Sequence, residues 1–212
     1  PPDFNEFWKK TKAEIDAVAL DVKQETSWQT FAGKEIDAYN LESACLPGDY
    51  DPKGHRYETV ESCKVSFAGP DGGRVYGWLA RPKATGPFPA MLVLAGGGFN
   101  ARPRPLEHAR HGYLALDIQV HGQDVDLEEY PKLDGHHENQ VYEPAGRYYY
   151  YNVNKRVMQA VNVLASRPDV DKTRIVAVGG RQGGRLSIMI AGGIRASRRL
   201  SPPSPITATI RT

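Results

Sequence analysis

The segment that decides the fold is Arg174-Ile-Val-Ala-Val-Gly-Gly-Arg-Gln-Gly-Gly184. Its β-branched, apolar residues from Ile175 to Val178 predict a strand that is buried on both faces. The glycine pairs on either side of Arg181 predict a sharp turn, because glycine tolerates conformations and close contacts that a Cβ atom would prevent. Leu186-Ser-Ile-Met-Ile-Ala191 then predicts the first turns of a buried helix. Arg181 is therefore expected at the tip of a strand–turn–helix unit.

A strand, a glycine-bracketed turn and a helix are typical of the nucleophile elbow of α/β-hydrolases, whose motif is G-x-S-x-G. Gly179 and Gly183 match the two glycines of the motif, and Arg181 stands where the motif has serine. A guanidinium group stays protonated and cannot act as a nucleophile. The segment thus predicts the frame of a serine esterase without its nucleophile.

Length and composition are those of one globular domain. The chain has 212 residues, a net charge of +2 and 40% hydrophobic residues, which is enough for a sizeable core. Nothing in the charge predicts a nucleic-acid partner, and no apolar run approaches the ~20 residues of a membrane span. The start at Pro1-Pro-Asp3 leaves a removed signal peptide, and so a cytoplasmic or an exported location, open. Two free thiols are favoured over a disulfide for Cys45 and Cys63.

The order of elements predicts an α/β fold. Two alternating strands, Thr59–Phe67 and Arg74–Arg81, flank a turn-rich link and predict an antiparallel hairpin. Further predicted elements are an N-terminal helix from Pro2, strands at Ala90–Ala95 and Tyr113–Ile118, a short helix within 104–112, and a helix from Tyr148–Tyr151 to about Ser166. We expect a mostly parallel sheet with antiparallel N-terminal edge strands. The predicted parts are a helical or irregular extension (1–55), a partial hydrolase domain (56–193) and an irregular tail (194–212).

Ester hydrolysis also requires two backbone N–H groups that stabilise the oxyanion. The residue after the nucleophile supplies one, here Gln182, and the loop after an earlier strand supplies the other, here Gly97 within Gly96–Gly98. A tight strand-to-helix turn is the alternative interpretation of these three glycines.

A metal site is the second candidate chemistry in the sequence. The polar loop at 124–146 contains candidate ligands at Asp126, Glu128, Glu129, His136, His137 and Glu138. Their spacing matches no recognised ligand pattern, so a solvated loop beside the active site is favoured and no metal or other cofactor is predicted.

Several motifs in this order resemble those of the acetyl xylan esterase and cephalosporin-C deacetylase family over roughly residues 1–193. They are Pro2-Asp-Phe-Asn-Glu-Phe-Trp8, Val65-Ser-Phe67, Gly77-Trp-Leu79, Gly96-Gly97-Gly98, His121-Gly122-Gln123, Tyr148–Tyr151 and Gly179-Gly180-Arg181-Gln182-Gly183. The chain departs from the family at three positions. His121 replaces the arginine of an arginine-glycine-glutamine motif, Ala95 stands where histidine is usual, and Arg181 replaces the nucleophilic serine.

The resemblance implies an α/β-hydrolase sheet that is cut short after the elbow helix. It also implies removal of acetyl groups from xylo-oligosaccharides or related small esters, without a metal, by a homo-oligomer. The family's acid and histidine follow the serine by many tens of residues, so neither role is assigned within the 212 residues. We therefore expect an inactive chain. The alternatives are a non-catalytic carbohydrate-binding protein and a fragment without function.

Residues 194–212 differ in character from the rest of the sequence. They lack periodicity, contain three prolines in Pro202-Pro-Ser-Pro205, and carry four arginines and no acid. A disordered basic tail is one interpretation. A shifted reading frame is the other, because codons read two bases further along permit a segment such as D-P-R-I-A-A-A-V-P-A-I-x-N-H-G-D, which the resemblance leads one to expect after the elbow helix. Both predict irregular, exposed residues and leave the elbow strand at the edge of the sheet.

Overall fold

The computed structural model describes residues 2–42, 54–131, 149–198 and 206–210. Its elements, numbered in chain order, are α1 (Phe4–Asp16), β1 (Lys23–Gln24), β2 (Gln29–Ala32), α2 (Gly33–Glu42), β3 (Thr59–Ala68), β4 (Arg74–Pro82), β5 (Phe88–Leu94), α3 (Leu106–Arg110), β6 (Leu114–Ile118), α4 (Tyr149–Ser166), β7 (Val170–Gly179), α5 (Gln182–Arg198) and β8 (Ile206–Ile210). None of the helices in these ranges is long and apolar enough to cross a membrane.

One sheet organises the described part of the chain. Its strand order is β1-β3-β4-β6-β5-β7-β8, and β2 also pairs with β3. The predicted hairpin is confirmed, since β3 and β4 pair antiparallel from Val60↔Pro82 to Ala68↔Arg74. β4 joins β6 antiparallel, whereas β6, β5, β7 and β8 run parallel to one another. The expected parallel core with antiparallel N-terminal edge strands is therefore present.

The core lies on the parallel strands and beneath α4. Leu92 of β5 and Leu116 of β6 are fully buried, and each such side chain stabilises the fold by about 1.5–3 kcal/mol. The inner face of α4 is likewise buried, at Val153, Val157, Ala160, Val161 and Leu164. Burial of this face fixes α4 against the sheet beside the turn that ends β7.

The N-terminal part is more than the predicted helical or irregular extension. It contributes β1 and β2, which pair antiparallel with β3 at Lys23↔Ser66 and Gln29↔Ser62. The sequence signal was weak because these strands are two and four residues long and mostly exposed. Their hydrogen bonds to β3, rather than apolar alternation, define them.

The prediction that residues 194–212 are irregular is wrong for two segments. α5 continues to Arg198, and Ile206–Ile210 forms β8, parallel to β7 from Ile175↔Ile206 to Gly179↔Ile210. The sequence Ile-Thr-Ala-Thr-Ile is rich in β-branched residues, which favour strands. The outer side of β7 offers unpaired backbone groups for a further strand. The sheet thus continues one strand beyond α5, and β7 is not its edge.

Cys63 is a free, buried thiol on β3. Its burial raises the pKa of the thiol to about 11, which keeps it protonated and poorly nucleophilic. The free-thiol prediction is confirmed for Cys63, whereas Cys45 lies outside the described residues.

Candidate active site

The turn between β7 and α5 is as tight as the sequence predicted. Gly183 N–H donates to Gly180 O at 2.9 Å, and Arg185 N–H donates to Arg181 O at 3.1 Å. Arg181, at the tip, has φ of +51°, in the left-handed region that non-glycine residues seldom adopt. Such a conformation costs on the order of 1–3 kcal/mol. The fold therefore holds the side chain at position 181 exposed at the carboxyl end of β7 against a local backbone cost.

Two glycines are required because the turn packs directly on the end of β5. A Cβ atom on Gly183 would lie 2.2 Å from Leu94 O and 2.7 Å from Ala95 O. One on Gly179 would lie 2.6 Å from Leu94 O. Gly180, by contrast, has no atom within 4 Å of such a Cβ. The need for glycine is thus steric at positions 179 and 183 and absent at 180.

The glycine loop after β5 lies against this turn. A Cβ atom built on Gly97 would be 3.6 Å from Gln182 Oε1, and one on Gly96 would be 4.0 Å from Gly180 O. Gly98 has φ of +115°, which only glycine adopts readily. The structure therefore brings together Gly97 and Gln182, the two residues that the sequence nominated as backbone donors.

His121 also lies near the carboxyl ends of the parallel strands, shortly after β6. It is buried, and its Nδ1 is hydrogen-bonded to the Tyr149 hydroxyl at 2.6 Å. Its ring lies 4.5 Å from the ring of Phe99, centroid to centroid. The backbone N–H of His121 donates to Gln119 Oε1 at 3.2 Å. His121 thereby connects the glycine loop to the start of α4. Burial raises the pKa of Tyr149 to about 12, so this tyrosine stays a neutral partner.

The other two residues of the His121 motif have separate structural tasks. Gly122 has φ of +82°, and a Cβ there would lie 3.0 Å from the Arg156 guanidinium carbon. Gln123 donates from Nε2 to Pro131 O at 3.0 Å. Gly122 therefore allows close packing on α4, and Gln123 fixes the loop that follows.

Two neighbours of the turn, the aromatic Tyr150 and the cationic Arg185, were not assigned to the site from the sequence. The Tyr150 hydroxyl lies 3.5 Å from Gln182 Oε1, and the Arg185 guanidinium lies 4.9 Å from the Tyr150 ring centroid. The run of tyrosines at the start of α4 was the available signal, but a sequence cannot say which ring faces the turn. We call Arg181, Gln182, Gly97, His121 and Tyr150 the elbow site.

A buried ion pair anchors the loop that follows the glycines. Arg102 donates from Nε and Nη2 to the two Asp117 carboxylate oxygens at 2.7 and 2.9 Å. Asp117 lies on β6, and its burial raises the pKa to about 6 although the Arg102 charge opposes this shift. The pair thus fixes the loop after the glycines to β6, although it keeps a carboxylate away from water.

The polar loop at 124–146 is described in part. Lys64 Nζ contacts Asp124 at 3.0 Å and Asp126 at 2.7 Å. These carboxylates therefore serve ion pairs at the surface, and residues 136–138 lie outside the described part. A different group, His55, Glu107 and His111, places ligand atoms within 4.8 Å of one another. Its only sequence signal was the i,i+4 spacing of Glu107 and His111.

The model of the acetyl xylan esterase (AXE1) family matches residues 40–208. The acetyl esterase Axe7A of Xylanibacter ruminicola is 28% identical in an alignment 204 residues long, which covers 91% of this chain and 40% of that protein. Among solved structures, an acetyl xylan esterase from Paenibacillus sp. R4 is 28% identical with a TM-score of 0.64, over 91% of this chain and 56% of that one.

A second solved structure supports the fold alone. Acetyl xylan esterase 1 from Thermoanaerobacterium sp. JW/SL YS485 is 19% identical with a TM-score of 0.66, over 92% of this chain and 56% of that one. The chain thus spans between two fifths and three fifths of the length of these three relatives.

Proposed function

The chain belongs to the acetyl xylan esterase family of carboxylic-ester hydrolases, and we propose that its elbow site derives from a serine esterase site that has lost the hydrolytic reaction. The observation that carries the proposal is Arg181 at the tip of the turn with φ of +51°. This strained position is where an α/β-hydrolase exposes its nucleophile. The permanently charged guanidinium of Arg181 cannot attack a carbonyl carbon.

We assign the oxyanion donors of the ancestral site to the backbone N–H groups of Gln182 and Gly97. The packing of Gly97 beside Gln182 supports this assignment. Preorganised donors of this kind stabilise the charge that develops on an ester oxygen during attack. In this chain the same donors face a site whose central side chain is a cation.

The ancestral substrates proposed here are acetylated xylo-oligosaccharides or related small esters. The names of the relatives, acetyl xylan esterases and an acetyl esterase, support this class. No residue from Gln182 to Thr212 is an aspartate, glutamate or histidine, so neither the acid nor the base that completes a triad is assigned to residues 182–212. Assembly into homo-oligomers stays a prediction from the resemblance.

Arg181→Ser tests whether the nucleophile alone is missing. We expect the variant to stay on the order of 10⁶-fold below an intact serine esterase with 4-nitrophenyl acetate, because loss of triad members costs about that factor and is not repaired one residue at a time. Arg185→Ser is the matched control, since it removes an exposed arginine one helical turn further along. Both variants are assayed by steady-state release of 4-nitrophenol.

Two outcomes separate the possibilities. Equal, background-level rates in both variants support the loss of both the nucleophile and its partners. Turnover that appears in Arg181→Ser and not in Arg185→Ser would show that other residues complete the triad, and it would overturn the assignment of a site that lacks acid and base.

A further inference from the structure

A second cluster of polar side chains lies at the opposite end of the parallel strands from the elbow site. His111 follows α3 and precedes the amino end of β6, whereas the elbow site lies at the carboxyl ends of the parallel strands. The five residues of β6 separate the two edges by about 16 Å. The cluster is therefore spatially separate from the elbow site.

The Glu107 carboxylate, which is 7% exposed, is held in one orientation. Its Oε2 accepts a hydrogen bond from Asn40 Nδ2 at 2.6 Å and lies 3.5 Å from Arg110 Nη1. Its Oε1 faces His55 Nε2 at 2.6 Å and His111 Nδ1 at 3.3 Å. One oxygen thus serves the fold, and the other faces two imidazole nitrogens.

The segment that bears His55 is fixed in place as well. Arg56 and Tyr57 donate their N–H groups to Arg110 O at 3.0 and 3.2 Å. The rings of His55 and His111 meet edge to face, 5.0 Å apart between centroids. Their side chains are 14% and 29% exposed, so the cluster is shielded but open to a small ion.

We propose that His55, Glu107 and His111 form a binding site for a divalent transition-metal cation, best suited to Zn²⁺. Two imidazoles and one carboxylate are a ligand set that zinc accepts, with a fourth position for water. Metal–ligand bonds of about 2.0–2.1 Å in a tetrahedron place the ligand atoms about 3.3 Å apart. The Glu107 Oε1 to His111 Nδ1 distance of 3.3 Å already matches this spacing. The His55 contact of 2.6 Å must open, and His111 Nδ1 must give up its 2.9 Å hydrogen bond with Glu107 O.

The charges around the cluster favour a cation. Arg110 Nη1 contacts both Asp37 Oδ1 at 2.6 Å and Glu107 Oε2 at 3.5 Å, so two carboxylates share one guanidinium. A cation here would link the segment at His55 to α3 and the start of β6, so its binding would add to the stability of the folded chain.

The experiment is titration of the chelator-treated chain with ZnCl₂ by calorimetry, alongside its melting temperature. We expect saturable binding and a rise in melting temperature. His55→Gln and His111→Gln should each weaken binding by more than the roughly 10–100-fold that loss of an outer-shell partner costs. His108→Gln, next to Glu107 on α3 but outside the group, is the matched control and should bind as the unaltered chain does.

Three results would overturn the proposal. The first is the absence of saturable zinc binding, and the second is binding by His55→Gln and His111→Gln that is as tight as in the unaltered chain. The third is stabilisation by MgCl₂ equal to that by ZnCl₂, because Mg²⁺ prefers six oxygen ligands. Should either variant fail to fold, X-ray absorption of the zinc-loaded unaltered chain decides the matter. It should show imidazole nitrogens at about 2.0–2.1 Å from zinc, and a zinc bound by oxygen alone contradicts the site.

Discussion

Gly183→Ala is expected to destabilise the chain by about 3 kcal/mol, a large effect for the addition of one methyl group. The new Cβ would lie 2.2 Å from Leu94 O and 2.7 Å from Ala95 O. Both are backbone oxygens where β5 ends and the glycine loop begins. Leu94 O cannot move without disturbing the pairing of Leu94 with Gly179 of β7. The gain in helix propensity from alanine, about 1 kcal/mol, is too small to compensate. Urea unfolding followed by circular dichroism measures the difference.

Gly180→Ala is the matched control within the same turn. Nothing lies within 4 Å of its added Cβ, so we expect a change within about 0.5 kcal/mol. Equal destabilisation by the two substitutions would contradict the packing of the turn on β5.

Arg102→Leu is expected to destabilise the chain by about 3 kcal/mol near neutral pH, because it leaves the buried Asp117 carboxylate without its partner. The folded-state pKa of Asp117, about 6, already exceeds the usual 3.8 because of burial. The folded state therefore holds this proton more tightly than the unfolded state. Asp117 costs stability above about pH 6, and that cost disappears as the pH falls towards 3.8.

The deficit of Arg102→Leu should accordingly shrink as the pH is lowered from about 8 to about 5, because protonation removes the unpaired charge. Arg174→Leu is the control, since Arg174 is 61% exposed and pairs with Asp171 at the surface. Such pairs contribute about 0–1 kcal/mol. A deficit of Arg102→Leu that does not vary with pH would show that Asp117 is not the group responsible.

Much of the fold was predictable because the signals were local. Apolar runs predicted β5, β6 and β7, and alternation with a glycine-rich link predicted the hairpin of β3 and β4. The turn at Arg181 could be predicted because Gly179 and Gly183 are needed wherever a backbone approaches closely. The meeting of Gly97 with Gln182 followed from the rule that parallel strands present their carboxyl ends at one edge.

Contacts between distant segments explain what the sequence did not reveal. β1 and β2 depend on hydrogen bonds to β3, and His55 meets Glu107 and His111 across about 50 residues of sequence. The β-branched residues of β8 favour a strand locally, but its pairing with β7 is a contact between distant segments. The shifted reading frame predicted irregular residues throughout 194–212, which α5 to Arg198 and the pairing of β8 with β7 contradict. The frame itself stays a prediction that the nucleotide sequence of codons 181 to 212 tests.

Acetate release from an acetylated xylo-oligosaccharide by the unaltered chain is the most direct test of the central claim, that an esterase frame here lacks esterase chemistry. Proton NMR should detect acetate at the rate of the protein-free control, at every protein concentration, because Arg181 cannot act as a nucleophile. Saturable binding of the oligosaccharide without acetate release would favour the carbohydrate-binding alternative. Acetate release that rises in proportion to protein concentration would contradict the loss of the reaction.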